Sequence, residues 1–286
     1  MDYQHINTNL GIDHAKKEKL AAWSKRLSSP VLNDLDRYSE KKLILSGEFI
    51  GRINPDAYRI PKDAIALLLC SDERLNNLNL GKMFGGFSEE KSIFPIRLPG
   101  AVVGQDIGQL KEKLKEYNFP KLAAASHADC GAVKLDLIEK GLSVDIDQHA
   151  KDLASNLEDI ENWGFVGIED IPQLKGIHPA CCLLVDGTGR RNYLSDDVLP
   201  NECFMLNRAV YTDNKLAASH IGVLTNIALG DHGLGSLFTR EHPFYLFVSA
   251  LDDESLRRYM DEAEGITKSL PGDLVRVVGF IAPRID

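Results

Sequence analysis

The chain has 286 residues, 44% of them hydrophobic and 26% charged, a globular composition with room for one large domain or two of ordinary size and against long disordered stretches. Its 33 basic and 42 acidic side chains give a net charge of −9 with no basic block, which argues against nucleic acid or an anionic membrane as a partner. The longest apolar run, Ala64 to Cys70, is far too short to cross a bilayer, and Asp2, Lys16, Lys17, Glu18 and Lys19 leave no apolar stretch of a secretion signal, so a cytoplasmic protein is expected.

Residues 1–60 read as an N-terminal helical arm. Ala15, Leu20, Trp23 and Leu27 recur at roughly helical spacing within His14–Leu27, and Pro30, Asn54-Pro55 and Pro61 break up the rest of the arm. From Asp63 the pattern alternates between strand, loop and helix. Ala64–Leu69 is a continuous apolar run suited to a buried strand, and Ser92–Ile96 is a second strand candidate before Arg97-Leu98-Pro99-Gly100. Residues 105–117 carry Ile107, Leu110 and Leu114 among Lys and Glu, which predicts a helix with a solvent face. Pro120 introduces Lys121-Leu-Ala-Ala-Ala-Ser126; alanine favours helices, yet so short a run ahead of a new helix predicts a strand. Val144–Trp163, with Ile146, Ala150, Leu153, Leu157 and Ile160 on one stripe, predicts the clearest helix of the chain, closed by Gly164. Apolar strands alternating with amphipathic helices predict an α/β fold, a mainly parallel sheet flanked by helices with ligands at the C-terminal ends of its strands.

Two motifs fall at such ends, Cys70-x-Asp72-x-Arg74 and Ser126-His127-x-x-Cys130-Gly131. The cysteines, Cys70, Cys130, Cys181, Cys182 and Cys203, are odd in number and lack framework spacing, so a disulfide scaffold is not expected. A single cysteine after a strand is ordinarily a small apolar side chain. Two thiolates and an imidazole together are the ligands that Zn²⁺ prefers, with the fourth tetrahedral position open to water or to the nearby Asp72 carboxylate.

With Arg97-x-x-Gly100-Ala101 lying between them, these motifs resemble the β-class carbonic anhydrases over about residues 60–165. The resemblance implies Zn²⁺ held by Cys70, His127 and Cys130, an Asp72–Arg74 catalytic dyad, and reversible hydration of CO₂ to bicarbonate by zinc-bound hydroxide. It also implies that Asp72 can become a fourth ligand when it leaves Arg74. Zinc lowers the pKa of a bound water towards about 7. Asp72 can then accept the hydrogen bond of the hydroxide, while Arg74 keeps that carboxylate ionised and aimed. Leu98-Pro99-Gly100-Ala101 departs from the polar residues that many members carry after the arginine, so the pocket floor is expected to differ. Hydrolysis of CS₂ or COS on the same zinc and a catalytically inactive zinc protein are the alternatives; the retained Asp72–Arg74 pair favours an enzyme.

The second half repeats this element order. Cys181–Val185 precedes Asp186-Gly187-Thr188-Gly189-Arg190; then come Asn207-Arg208-Ala209, a helix through Ile221, Leu224 and Ile227, and Phe244–Ala250 before Leu251-Asp252-Asp253. Three parts are therefore expected: the arm at 1–60, a zinc-binding domain at 61–170, and a degenerate copy at 171–286 whose ligand positions have become Val185, Ala250 and Asp253. An active copy followed by a zinc-less one resembles the carboxysome-shell branch of the carbonic anhydrases. That resemblance implies an internal pseudo-dimer or a homo-oligomer, with a small molecule as the substrate. Lys215–His220 matches Lys121–His127 in letters, but His220 sits in a helical pattern with no cysteine three residues on, so element order outweighs it. His220, Asp231, His232 and His242 are the remaining candidates for a second metal cluster, with surface or helix-cap histidines as the competing reading. Cys181, Cys182 and Cys203 read as buried strand residues.

Overall fold

The computed structural model describes residues 3–45, 49–76, 78, 83, 93–170, 177–191, 199–270 and 273–284, and of residues 3–14 the helical backbone alone. Ser92, at the start of an expected strand, and the expected boundary at 170/171 fall on or against residues outside that set. Among the described residues, nine strands form two all-parallel sheets flanked by seven helices, an α/β fold. None of these helices is long and apolar enough to cross a membrane.

The first sheet has the order β3-β2-β4-β5, from β2 (Ile65–Leu69), β3 (Ile93–Arg97), β4 (Leu122–His127) and β5 (Glu161–Val166). Every residue of β2 is buried, as a parallel strand covered on both faces must be. Its side chains alternate: Ala66 and Leu68 enter the larger core, while Ile65, Leu67 and Leu69 enter a smaller one with Val133, Ala150 and Val166. Helix α3 (Ile107–Lys115) joins β3 to β4, buries Leu110 and Leu114, and is capped by Asp106, whose carboxylate accepts from the Gln109 N–H at 3.0 Å. The alanine run is β4, with Ala123, Ala124 and Ala125 wholly buried. Pairing with neighbours on both sides overrides the helix propensity of alanine there.

Helices α4 (Gly131–Glu139) and α5 (Ile146–Ser155) connect β4 to β5. The long helix expected over Val144–Trp163 is corrected here: its first half is α5, and its end belongs to β5. The apolar period runs on through Leu157 and Ile160, but Asp159 turns left-handed at φ 57° and the aromatic Glu161-Asn-Trp-Gly-Phe-Val pairs in parallel with β4. Gly164 is therefore not a helix stop. It sits inside β5 at φ 134°, beside the register shift between Ala124 and Ala125, where a side chain would be strained.

The second sheet has the order β1-β9-β8-β6-β7, with β6 (Cys182–Asp186), β7 (Cys203–Leu206), β8 (Phe244–Ala250) and β9 (Val275–Ile281) interleaved with α6 (Asn214–Leu229) and α7 (Asp253–Thr267). The arm holds α1 (Tyr3–Ser28), α2 (Pro30–Asp36) and β1 (Lys42–Leu45). It is not purely helical, because β1 extends this sheet by pairing with β9. Arg26, 1% exposed, makes two 2.6 Å hydrogen bonds to Asp36, which also accepts from Tyr245 and contacts His242 Nδ1 at 2.8 Å.

The two sheets share one topology, since β3-β2-β4-β5 and β7-β6-β8-β9 have the same order and direction. They meet at β3 and β7: the Asn207 N–H donates to the Arg97 carbonyl at 2.9 Å, and the Arg97 N–H donates to Asn207 Oδ1 at 2.5 Å. A single hydrophobic core runs through this junction, holding Leu68, Phe94 and Ile96 together with Cys182, Leu184 and Phe204.

Candidate metal centre

Cys70 comes directly after β2, His127 ends β4, and Cys130 caps α4. The chain passes from β2 to β3 on one side and returns to β4 on the other, so the site lies where an open α/β sheet parts its strand ends. The donor atoms of the three residues lie within 4.8 Å of one another, and all three residues are buried. The two sulfurs are 3.7 Å apart. A proton shared between them holds Cys70 well below the usual thiol range and pushes Cys130 well above it, with burial adding to the rise at Cys130.

His127 Nδ1 lies 2.8 Å from the Ala128 carbonyl. That acceptor fixes the proton on Nδ1 and leaves a lone pair on Nε2. Nε2 is buried and has no hydrogen-bond partner. An unpartnered imidazole nitrogen beside two sulfurs fits a metal ion by donor chemistry. The backbone braces the same set: the Gly100 N–H donates to Cys70 Sγ at 3.2 Å, and Arg97 Nη1 donates to the Cys70 carbonyl at 2.9 Å. Gly100 adopts φ +58°, and a Cβ there would come within 2.4 Å of Val103, so this turn requires glycine. The departure from polar residues at 98–101 thus leaves intact a donor that faces the cysteine.

Asp72 and Arg74 stand beside the donor set. Arg74 Nε donates to Asp72 Oδ1 at 2.8 Å and Nη2 donates to Oδ2 at 2.5 Å, a fork-on-carboxylate pair. Burial pushes the Asp72 carboxyl up, but His178 and Arg74 outweigh it and hold the group well below the usual carboxylate range. Asp72 Oδ2 is 3.8 Å from His127 Nε2. A small cavity of about 20 Å³ is lined by Cys70, Asp72 and Pro99 from the first half and by His178, Phe204 and Leu224 from the second. It has room for one water. A larger groove of about 910 Å³ runs beside α2 and β1, and among the described residues no cysteine or histidine lines it.

Sequence reasoning missed Glu73 and His178. Glu73 is 2% exposed, and His178 Nδ1 reaches both of its carboxylate oxygens, at 3.2 and 3.3 Å. His178 is pushed up to about 9: burial lowers it, and the Glu73 and Asp72 carboxylates more than reverse this. The two residues lie 105 positions apart, with no spacing in the sequence to join them.

The other expected candidates do not gather. His220 Nδ1 meets the Tyr211 hydroxyl at 2.8 Å, His242 meets Asp36, the Asp231 carbonyl accepts from Lys19 Nζ, and the His232 carbonyl accepts from the His178 N–H. Among the described residues, no metal-sized group contains any of these four. Cys181, Cys182 and Cys203 are buried. Lys215–His220 lies in α6, as the helical pattern requires.

The strand registers also set the second sheet against the first. With Arg97 and His127 laid on Leu206 and Ala250 at their strand ends, the pairing registers set Leu69 against Val185 and Cys70 against Asp186, the residue after the expected Val185. Asp186 is fully buried and accepts from the Thr188 N–H, the Thr188 hydroxyl, the Ser249 hydroxyl and Asn207 Nδ2. Asp252, which caps α7, occupies the capping place of Cys130, one residue before the expected Asp253.

In comparison with known proteins, the chain matches no protein-family model, no curated protein and no solved structure. The resemblance to β-class carbonic anhydrases therefore stands on the residues themselves.

Proposed function

We propose that the chain is a zinc enzyme that reversibly hydrates CO₂ to bicarbonate. The observation that carries this reading is a buried Cys70–His127–Cys130 donor set with an unpartnered Nε2 and the Asp72–Arg74 pair beside it. Three ligands of this chemistry suit zinc and leave it one open position, as a catalytic site requires and a structural four-ligand site does not. Zinc, when bound, supplies the Lewis acidity that brings the pKa of a water to about 7. Asp72 accepts a hydrogen bond from the nucleophile and so turns a lone pair towards the substrate. Arg74 fixes both carboxylate oxygens of Asp72 and keeps that group from taking the proton itself. Phe204, Val223, Leu224 and Ile227 line the cavity together with Cys70 and Asp72, an apolar wall that suits a neutral substrate.

The same apolar wall supports a second reading, hydrolysis of COS or CS₂. The shared strand order of the two sheets supports a fused pair, with 61–170 as the metal-binding copy and 171–286 as the degenerate one that closes its cavity. Stopped-flow assays on zinc-assayed protein at pH 6.5–9 test the assignment. Rapid CO₂ hydration is expected; sulfide release from COS or CS₂ without CO₂ turnover favours the second reading, and a zinc-loaded protein inert towards all three refutes both.

A further inference from the structure

His178 enters the first half's cavity from the second half. Its backbone N–H is tied to the His232 carbonyl at 2.6 Å, and its ring packs on Phe204 with centroids 5.6 Å apart. The ring lines the cavity with Cys70 and Asp72. Nδ1 bonds Glu73 and lies 3.9 Å from Asp72 Oδ1, the oxygen that also accepts from Arg74 Nε and the Arg74 N–H. Two adjacent buried carboxylates, Asp72 and Glu73, thus face two cations, Arg74 and His178. The geometry pairs each carboxylate with its own cation.

We infer that His178 is a positioning residue: by engaging Glu73 it reserves Arg74 for Asp72, so that the second half of the chain holds the catalytic pair of the first half in place. This rests on the reading of Asp72 as the group that orients the nucleophile. Burial pushes the buried Glu73 carboxyl up and His178 pulls it back, so without His178 this group stays ionised only by drawing on Arg74, its neighbour in the chain. Two carboxylates then compete for one guanidinium, and Asp72 is no longer fixed by both of its oxygens.

The inference makes Glu73 the agent of damage when His178 is lost, which separates it from a packing role. His178→Ala, loaded with zinc, is expected to keep the parental metal content and KM while kcat falls roughly 10- to 100-fold, the usual effect of losing a residue that orients another at a metal site. Adding Glu73→Gln to that variant removes the competitor and is expected to restore most of the lost kcat. In the Co²⁺-loaded proteins, the visible d–d bands are expected to shift in His178→Ala and to return towards the parental positions in the double variant. His178→Gln allows the same comparison where the alanine variant fails to fold. Parental kcat and parental Co²⁺ bands in the His178 variant overturn the inference, as does a loss that Glu73→Gln leaves unrelieved. A zinc-loaded parent that does not hydrate CO₂ refutes the proposed function instead, and the Co²⁺ bands then still decide the role of His178.

Discussion

Cys70, His127 and Cys130 sit at the ends of three different elements, and the one further donor beside them, the Asp72 carboxylate 3.8 Å from His127 Nε2, is held by Arg74. Replacing any one by alanine is therefore expected to remove most of the bound zinc, read by metal analysis of purified protein, and to lower Tm towards that of the chelated parent, because metal binding to the folded state is linked to folding. Asp72→Asn differs in kind. The amide keeps the size of the side chain but offers Arg74 one acceptor in place of two, so zinc content should stay at the parental level while CO₂ turnover falls by roughly 100-fold. Wild-type turnover in that variant would remove Asp72 from the mechanism. His220 gives a pH test at a histidine outside the donor set. Burial lowers it from 6.5 to about 4 against a smaller opposing pull from Cys70, and its Nδ1 lies 2.8 Å from the Tyr211 hydroxyl. The unfolded chain takes up this proton before the folded one does, so the stability tied to neutral His220 is whole above about pH 6.5 and is lost as pH falls towards 4. About 2 kcal/mol should disappear between pH 7.5 and pH 5 by that linkage. Urea titrations at the two pH values should show His220→Leu losing less than the parent over the same interval.

At the scale of elements, a buried ion pair joins α1 to α2 where both meet the second half of the chain. Arg26 is 1% exposed and places two N–H donors on Asp36 while its guanidinium lies over Trp23 and Tyr245. Arg26→Ala leaves Asp36 without its cation and is expected to cost about 3–5 kcal/mol, the range for breaking one partner out of a buried pair. Thermal unfolding measures it, and a change below about 1 kcal/mol would mean that this pair contributes no more than a surface pair does. The elements also show why some of this fold was legible in the sequence and some was not. Ala64–Leu69 and Phe244–Ala250 announce themselves as continuous apolar runs because parallel strands are covered on both faces. The donor set was legible because its chemistry lies in residue identity at the ends of such runs. The end of α5 was not, since Leu157 and Ile160 prolong the helical period while pairing with β4, a long-range contact, decides for a strand. His178 was invisible for the same reason: its meaning comes from Glu73, which only the folded chain brings within hydrogen-bond reach.

At the scale of the molecule, the second half completes the first. Asp186, Ala250 and Asp252 stand at the places of the three ligands and form no donor set among the described residues, while Asp72, Glu73 and His178 already face Arg74 and one another. Metal analysis is therefore expected to give about one zinc per chain, as one Cys–His–Cys set allows. A chain ending at Gly167 would keep all three ligands and the Asp72–Arg74 pair. It would lose Phe204 and Leu224 from the cavity wall, His178 from beside Glu73, and the apolar side chains that cover Leu68, Phe94 and Ile96. It would also bare the β3 edge, where wholly buried Arg97 exchanges hydrogen bonds with Asn207. An uncovered apolar face next to an open strand edge is a template for self-association. Chains of residues 1–167 are accordingly expected to aggregate or self-associate on size exclusion and, even when loaded with zinc, to show little CO₂ hydration. Adding back residues 168–286 as a separate chain should restore solubility if the shared core alone holds the halves together. A monodisperse, fully active monomer of residues 1–167 would show that the second half is an appendage, and that the matching strand order of the two sheets has no part in building the site.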